Sequence, residues 1–383
     1  MILLIALVES LSHYNDEEEE EVIPEADLRD KDKRLKYVNY MKEHQQGSMD
    51  AMLDNNSVKK RFNVFTKNEQ EIKNHNREVV AARTKLIFKK ELNKFTVMTS
   101  KERKLSTGLA NVTSTVHKRS LGLRARLQLR EVVPQAYDHR VEGHVSPVTN
   151  QGSCGSCWAH AAVYSLEGGL AIASGKDAKQ LSVQELLSCA YEHEESRNGC
   201  SGGWYMDAWK YVKESGHLAD SAEEPYEKMD MHCDPDIAEK PNLFARYKVT
   251  DWERVPEGDD RNLALFASKH VVSVAIYAGK NLYEYADGIF TDENCGFPAR
   301  VNHAVALVGF TQDAWIVKNS WGTDWGEKGY VRMSRQEMSN CGIADYAYFP
   351  IVEKKKKEKV VPKCATCCES VWGDKKRAEC PIC

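Results

Sequence analysis

Cysteine usage partitions this chain before any other pattern is considered. None of the twelve cysteines falls in the first 153 residues, seven lie between Cys154 and Cys341, and five crowd the last twenty positions. The middle stretch is therefore expected to be cross-linked in an oxidising compartment. The front has no cysteine to cross-link it. A length of 383 residues allows two or three structural units. The formal net charge of -4 gives no overall reason to expect a nucleic-acid partner.

The chain opens on an apolar run, Ile2 to Val8, with no Lys or Arg before it. It is too short to span a bilayer, as is every other apolar stretch. Residues 1–12 are read as a minimal signal peptide, with a truncated signal or a misplaced start as the alternative. The acidic run Asp16 to Glu21 is a solvated stretch. From about Asp27 to Lys94 the chain is highly charged. Tyr37, Tyr40 and Met41, and then Phe62, Phe65, Glu69 and Ile72, fall at helical spacing and predict amphipathic helices. Lys101 to Arg130 reads as an extended, basic connector open to proteolytic cutting. Asn55-Asn56-Ser57 and Asn111-Val112-Thr113 are glycosylation sequons.

From Val132 the texture becomes mixed and richer in aromatics and glycine. A helix is expected from about Ser156 through "CWAHAAVYSLEGGLAIAS". A second follows "LSVQELLSC", with Ser182 as its cap and Glu185 closing a capping box. Beyond Asn242 the β-branched runs "ARYKVTDWERV", "HVVSVAIYA", "HAVALVGF", "AWIVKNS" and "GYVRMS" predict strands. Helices first and strands second imply two packed lobes of α+β type.

Cys154-Gly-Ser-Cys157 admits three readings: a redox pair, half of a zinc site, or a nucleophile beside a structural thiol. The redox reading lacks its βαβ surroundings. A zinc site, completed by Cys189 and Cys200, leaves the downstream motifs without a purpose. A nucleophilic thiol needs a base, a group to orient that base, and donors for an oxyanion. His303 precedes one predicted strand and Asn319 ends the next. Trp321 can shield the pair. Cys157 at a helix N-terminus gains thiolate stabilisation. Gln151, six residues earlier, can join the Cys157 amide as an oxyanion donor.

"QGSCGSCWA", "LSVQELLSC", "GCSGG", "NHAV" and "KNSWGTDWGEKGY", in that order, resemble the papain-like cysteine peptidases from about Val132 to Val352. The resemblance implies a papain-like two-lobe fold, helical lobe plus β-barrel-like lobe, preceded by an α-helical prodomain. It makes Cys157 the nucleophile, His303 its ion-pair partner and general acid, Asn319 the orienter and Gln151 the oxyanion donor. It pairs Cys154 with Cys200, Cys189 with Cys233 and Cys295 with Cys341, leaving Cys157 free. Gly202 and Gly203 would form the backbone wall that pairs with an extended substrate. Trp204, Tyr205, Ala275, Val301 and Tyr346 would form the S2 pocket, with Tyr346 at its floor favouring medium apolar P2 side chains. Asn302 stands where many relatives carry Asp, which is expected to alter the pH profile. The lack of a second cysteine pair bracketing a long loop after Cys200 implies no occluding loop, hence an endopeptidase.

"RFNVFTKNEQEIKNHN", with Arg61, Phe65, Asn68, Ile72 and Asn76, is similar to the propeptide helix of cathepsin L-like zymogens, with Ser57 where Glu is expected. Asn93 and Phe95 match a second propeptide motif in which Glu91 and Val97 replace Gly and Asp. Such a propeptide blocks the cleft in the non-cleavable direction. The organisation expected is signal peptide 1–12, inhibitory propeptide 13–131, peptidase 132–352, and a basic linker with a cysteine-rich tail over 353–383. The implied partners are protein or peptide substrates and the chain's own propeptide, with no cofactor or metal at the site. The implied location is lysosomal, endosomal or extracellular. In the tail, Cys364-x2-Cys367 and Cys380-x2-Cys383 have zinc-ribbon-like spacing, with Cys368 extra. In a secreted chain a disulfide knot or an unpaired thiol is the plainer reading, and no partner is assigned to the tail. The competing functions are a catalytically silent papain-like binding or inhibitory protein and a zinc-binding regulator. His160, where the family usually has Phe, either packs or adds a second titrating group.

Overall fold

The computed structural model describes residues 30–44, 55–82, 88–110, 131–190, 199–295, 300–335 and 341–355. The signal-peptide reading, the Asn111 sequon, the cutting site near Arg130 and the cysteine tail lie outside them. No helix among the described residues is long and apolar enough to cross a membrane.

The front folds as the helical spacing predicts. Helix α1, Lys31–His44, lays Tyr37, Tyr40 and Met41 on Phe62 and Phe65 of helix α2, Asn55–Ala82, and on Val97. The chain then makes strand β1, Phe88–Lys90, and a short helix α3, Ser100–Lys104, whose Thr99 and Glu102 form a capping box. The connector expected from Lys101 is therefore helical at its start. Its basic composition concealed a cap that satisfies the first helical amides.

Strand β2, Tyr137–Asp138, leads into helix α4, Cys157–Ser174, the axis of the peptidase. Most of α4 is buried because both lobes pack on it: one face meets the helical lobe and the other meets strands. The helical lobe adds α5, Val183–Cys189, and α6, Tyr205–Ser215. Ser182 caps α5 by accepting from the Glu185 amide at 3.0 Å. The expected capping box does not close. The Ser182 amide already donates to Ala219 O at 2.8 Å, so the Glu185 carboxylate is free to accept from Ala219 N, at 2.7 Å, and to bond His217 Nδ1, at 2.9 Å. Three disulfides join Cys154 to Cys200, Cys189 to Cys233 and Cys295 to Cys341.

The second lobe contains β3 (Tyr247–Arg254), α7 (Asp260–Ala267), β4 (Val272–Ile276), α8 (Lys280–Tyr283), β5 (Tyr285–Phe290), β6 (His303–Phe310), β7 (Ala314–Lys318), β8 (Tyr330–Ser334) and β9 (Ala347–Lys354). Strands β5 and β9 were not foreseen from the sequence. The sheet order is β1-β5-β8-β7-β6-β4-β9-β3, with β2 on β6. The sheet is open rather than a closed barrel. Its β5 edge is continued by β1 from the front segment, so the two ends of the path, β1 and β3, do not meet.

Candidate active site

Antiparallel pairing of β6 and β7 sets Ala306 opposite Lys318, so the start of β6 and the residue just beyond β7 lie side by side. These are His303 and Asn319, and His303 Nε2 meets Asn319 Oδ1 at 2.8 Å. Asn319 Oδ1 is an acceptor, which puts the proton on Nε2 and leaves Nδ1 as the basic nitrogen. Nδ1 is buried and has no hydrogen-bond partner among the described residues. Trp321 stacks on the imidazole with centroids 4.8 Å apart and planes at 23°. Facing this pair, the first residue of α4 is Cys157, whose Sγ accepts from the Ala304 amide at 3.4 Å. It is the one cysteine among the described residues outside a disulfide. Gln151 is wholly buried. Its Oε1 accepts from Ser320 Oγ at 2.6 Å and its Nε2 donates to Cys154 O at 2.8 Å, which leaves the second Nε2 proton beside the start of α4.

Residues 106–110 cover these groups. The Gly108 amide donates to the Cys157 sulfur. Trp321 Nε1 donates to Ser106 O at 2.9 Å. Leu109 pairs with Gly203 in parallel sense: Gly203 N donates to Gly108 O at 3.0 Å and Ala110 N to Gly203 O at 3.4 Å. Leu109 N also donates to Asn302 O at 3.2 Å. A β-carbon on Gly202, at φ +110°, would lie 2.6 Å from Gly108 O, so the approach of the two backbones requires glycine there. Under this cover burial pushes the Cys157 thiol up to about 11 and holds His303 down to about 4, against the smaller opposing effect of its Asn319 bond. Desolvation disfavours the charged form of both groups and so opposes the thiolate stabilisation expected from the helix N-terminus.

Residues 133–351 match the papain family of cysteine proteases, and residues 37–102 match the cathepsin propeptide inhibitor domain. The chain belongs to the papain family. It is 36% identical to Vignain of Ricinus communis over 307 residues, 76% of this chain and 80% of that protein. It is 37% identical to mouse Cathepsin S over 224 residues, 57% of this chain and 64% of that protein. The digestive procathepsin L2 proteinase of Tenebrio molitor larval midgut superimposes with a TM-score of 0.72 at 30% identity, over 83% of this chain and 99% of that one. A stem bromelain precursor gives 0.68 at 31% identity, over 83% and 98%. This papain-family member is a cysteine endopeptidase made as a zymogen, with its propeptide as intramolecular inhibitor.

Most of the residues expected around the substrate gather in one cluster drawn from both lobes. Trp204, Tyr205 and Ala275 are buried in one cluster, and Val301, Tyr346 and Leu109 of the covering segment pack against it. The Trp204 and Tyr346 rings lie 5.6 Å apart, and the Tyr205 hydroxyl donates to Tyr346 O. The Asn302 amide brackets Ala278: Oδ1 accepts from Ala278 N at 2.7 Å and Nδ2 donates to Ala278 O at 3.2 Å. That donor bond is one an Asp could not make. The sequence reading missed Ser320, which holds Gln151, and the 106–110 plug, whose only local signal is Gly108 shortly after the basic run 101–104.

Buried Lys318 adjoins Asn319 in sequence. Its Nζ donates to Ser146 O and Oγ at 2.8 and 2.9 Å, and Ser146 Oγ donates to Glu167 of α4 at 2.5 Å. This ties β7 to the central helix. On the same helix His160 meets Thr149 Oγ1 through Nδ1 at 2.8 Å and packs edge-on against Tyr226 at 4.8 Å. Burial, with the nearby Lys318 and His303, pushes it down to about 3. His160 therefore packs as a neutral ring. An unfolded chain takes up this proton near pH 6.5 and the native state does not, so His160 costs stability as pH falls from about 6.5 towards 3. His160→Phe is expected to leave the pH-rate profile unchanged above pH 4. Between pH 7 and pH 4.5 the variant should lose about 2 kcal/mol less stability than wild type in urea unfolding. A pH-rate transition that disappears in the variant would contradict this.

Proposed function

We propose that Cys157, His303, Asn319 and Gln151 carry the peptidase reaction, and that propeptide 13–131 and peptidase 132–352 are the units separated on activation. The observation that carries the reading is the buried, unpartnered Nδ1 of His303. Its opposite nitrogen is fixed on Asn319, and the next residue's amide contacts the Cys157 sulfur. Once the plug leaves, water restores the charged forms, and the thiol proton passes to His303 Nδ1. The thiolate attacks the substrate carbonyl, and the oxyanion accepts from Gln151 Nε2 and the Cys157 amide. His303 gives its proton to the leaving amine, then takes one from the water that cleaves the thioester.

The backbone of Gly202 and Gly203 and the cluster of Trp204, Tyr205, Ala275, Val301 and Tyr346 would receive the substrate. Leu109 packed on that cluster supports a preference for medium aliphatic P2 side chains. The disulfides support an oxidising route to a lysosomal, endosomal or extracellular site.

Acid favours opening. His303 is held near 4 in the closed state and is freer to protonate once hydrated, so closure weakens as pH falls from about 6.5 towards 4. Zymogen acidified in mild reductant is expected to cut itself between the plug and Val132 and then to cleave a peptidyl substrate with Leu at P2. Absence of both events, with Cys157 free and alkylatable, would overturn the reading.

A further inference from the structure

The contact between propeptide and peptidase contains a charge cluster out of reach of water. Glu284, between α8 and β5, is 0% exposed. Its Oε2 lies 3.2 Å from Lys90 Nζ and its Oε1 lies 3.6 Å from an Arg103 guanidinium nitrogen. Both cations are themselves buried, and both belong to the propeptide, at the end of β1 and in α3. Lys90 Nζ also donates to Asn281 Oδ1 at 2.8 Å. Oε1 accepts no hydrogen bond among the described residues, so Arg103 acts on it through charge alone.

The surrounding backbone sets this geometry. Strand β1 pairs antiparallel with β5, bringing Lys90 opposite Tyr285, and Glu91 N donates to Glu284 O at 3.0 Å. Asn93 Nδ2 donates to Tyr283 O at 2.9 Å, and the Tyr283 hydroxyl donates to Arg103 O at 3.1 Å. The exposed pairs beside it have the same polarity, with Lys89 on Asp287 at 3.4 Å and Lys94 on Asp324 at 3.5 Å. One pair, Lys280 with Glu71, runs the other way.

A buried ion cluster is seldom the most stable filling for such a space, because apolar side chains of similar volume avoid the desolvation cost. What it does supply is discrimination: a wrong partner leaves a charge buried and unpaired. We propose that Glu284 is the residue through which this peptidase selects its own propeptide. It accepts a strand-plus-helix segment with cations at positions 90 and 103 and rejects one that is apolar or acidic there. The inference rests on the proposed function only in taking Cys157 as the reactive thiol under the plug.

The test uses full-length zymogen at neutral pH and iodoacetamide, with the adduct on the Cys157 peptide counted by mass spectrometry. Labelling then reports how often the plug opens. Glu284→Gln strands two buried cations and is expected to speed labelling roughly a hundredfold. Lys90→Met and Arg103→Met should each speed it about tenfold or more. The triple variant Glu284→Leu, Lys90→Leu, Arg103→Leu should return to within about threefold of wild type, because no charge is then stranded.

Labelling of Glu284→Gln within twofold of wild type would overturn the proposal. So would a triple variant as leaky as Glu284→Gln, which would mark a packing site without charge selection. If Glu284→Gln does not yield folded zymogen, the two propeptide variants decide by the same criterion. Slow labelling of Cys157 in acid-activated wild type would instead count against the proposed function, whereas fast labelling there with unchanged variants would count against Glu284 alone.

Discussion

Cys157→Ala zymogen is expected to fold, to remain uncut on acidification, and to show kcat/KM on a peptidyl substrate lower by at least about 10^4-fold. The sulfur lies inside the protein and accepts only weak backbone bonds, from Ala304, from Gly108 of the plug, and from the Trp158 and Cys157 amides. Its loss therefore removes the nucleophile while disturbing little packing. Melting temperature and a time course on denaturing gels separate these effects. Activity above about a hundredth of wild type would mean that another group attacks the substrate, and the assignment of Cys157 would fall.

The second large effect is placed on the inhibitor. A β-carbon on Gly108 would penetrate the Gly155 carbonyl and lie 2.5 Å from Gly155 Cα. Gly155 cannot retreat, because its amide bonds Cys200 O at 3.0 Å and its neighbour Cys154 is bridged to Cys200. Gly108→Val should prevent residues 106–110 from seating, so the zymogen becomes active at neutral pH without processing, roughly a hundredfold above wild-type zymogen. After acid activation kcat/KM should equal wild type, since position 108 leaves with the propeptide. A variant zymogen as silent as wild type would show that latency comes from elsewhere.

Much of the fold was legible because it is local or motif-borne. The α4 boundaries follow from one apolar run, and strands β3, β4, β6, β7 and β8 from β-branched runs bounded by turn residues. The front helices followed from the spacing of Tyr37, Tyr40, Phe62 and Phe65. Less legible were β5 and β9, whose runs carry polar or proline residues and hold as strands only because partners were waiting. The capping box at Glu185 failed for a similar reason, since a long-range carbonyl from Ala219 took the donor it needed.

The sequence alone determined which groups the peptidase possesses: a thiol at a helix start, an imidazole, an amide to hold it, and the cysteines to pin the loops. Tertiary structure decided their state. Burial inside the fold pushes the Cys157 thiol up and the His303 imidazole down, against the ion pair that the motifs imply. Glu284 acquires its meaning from Lys90, 194 positions away. Desolvation and charge pairing depend on what the fold brings within a few ångströms, and no periodicity along the chain encodes that distance.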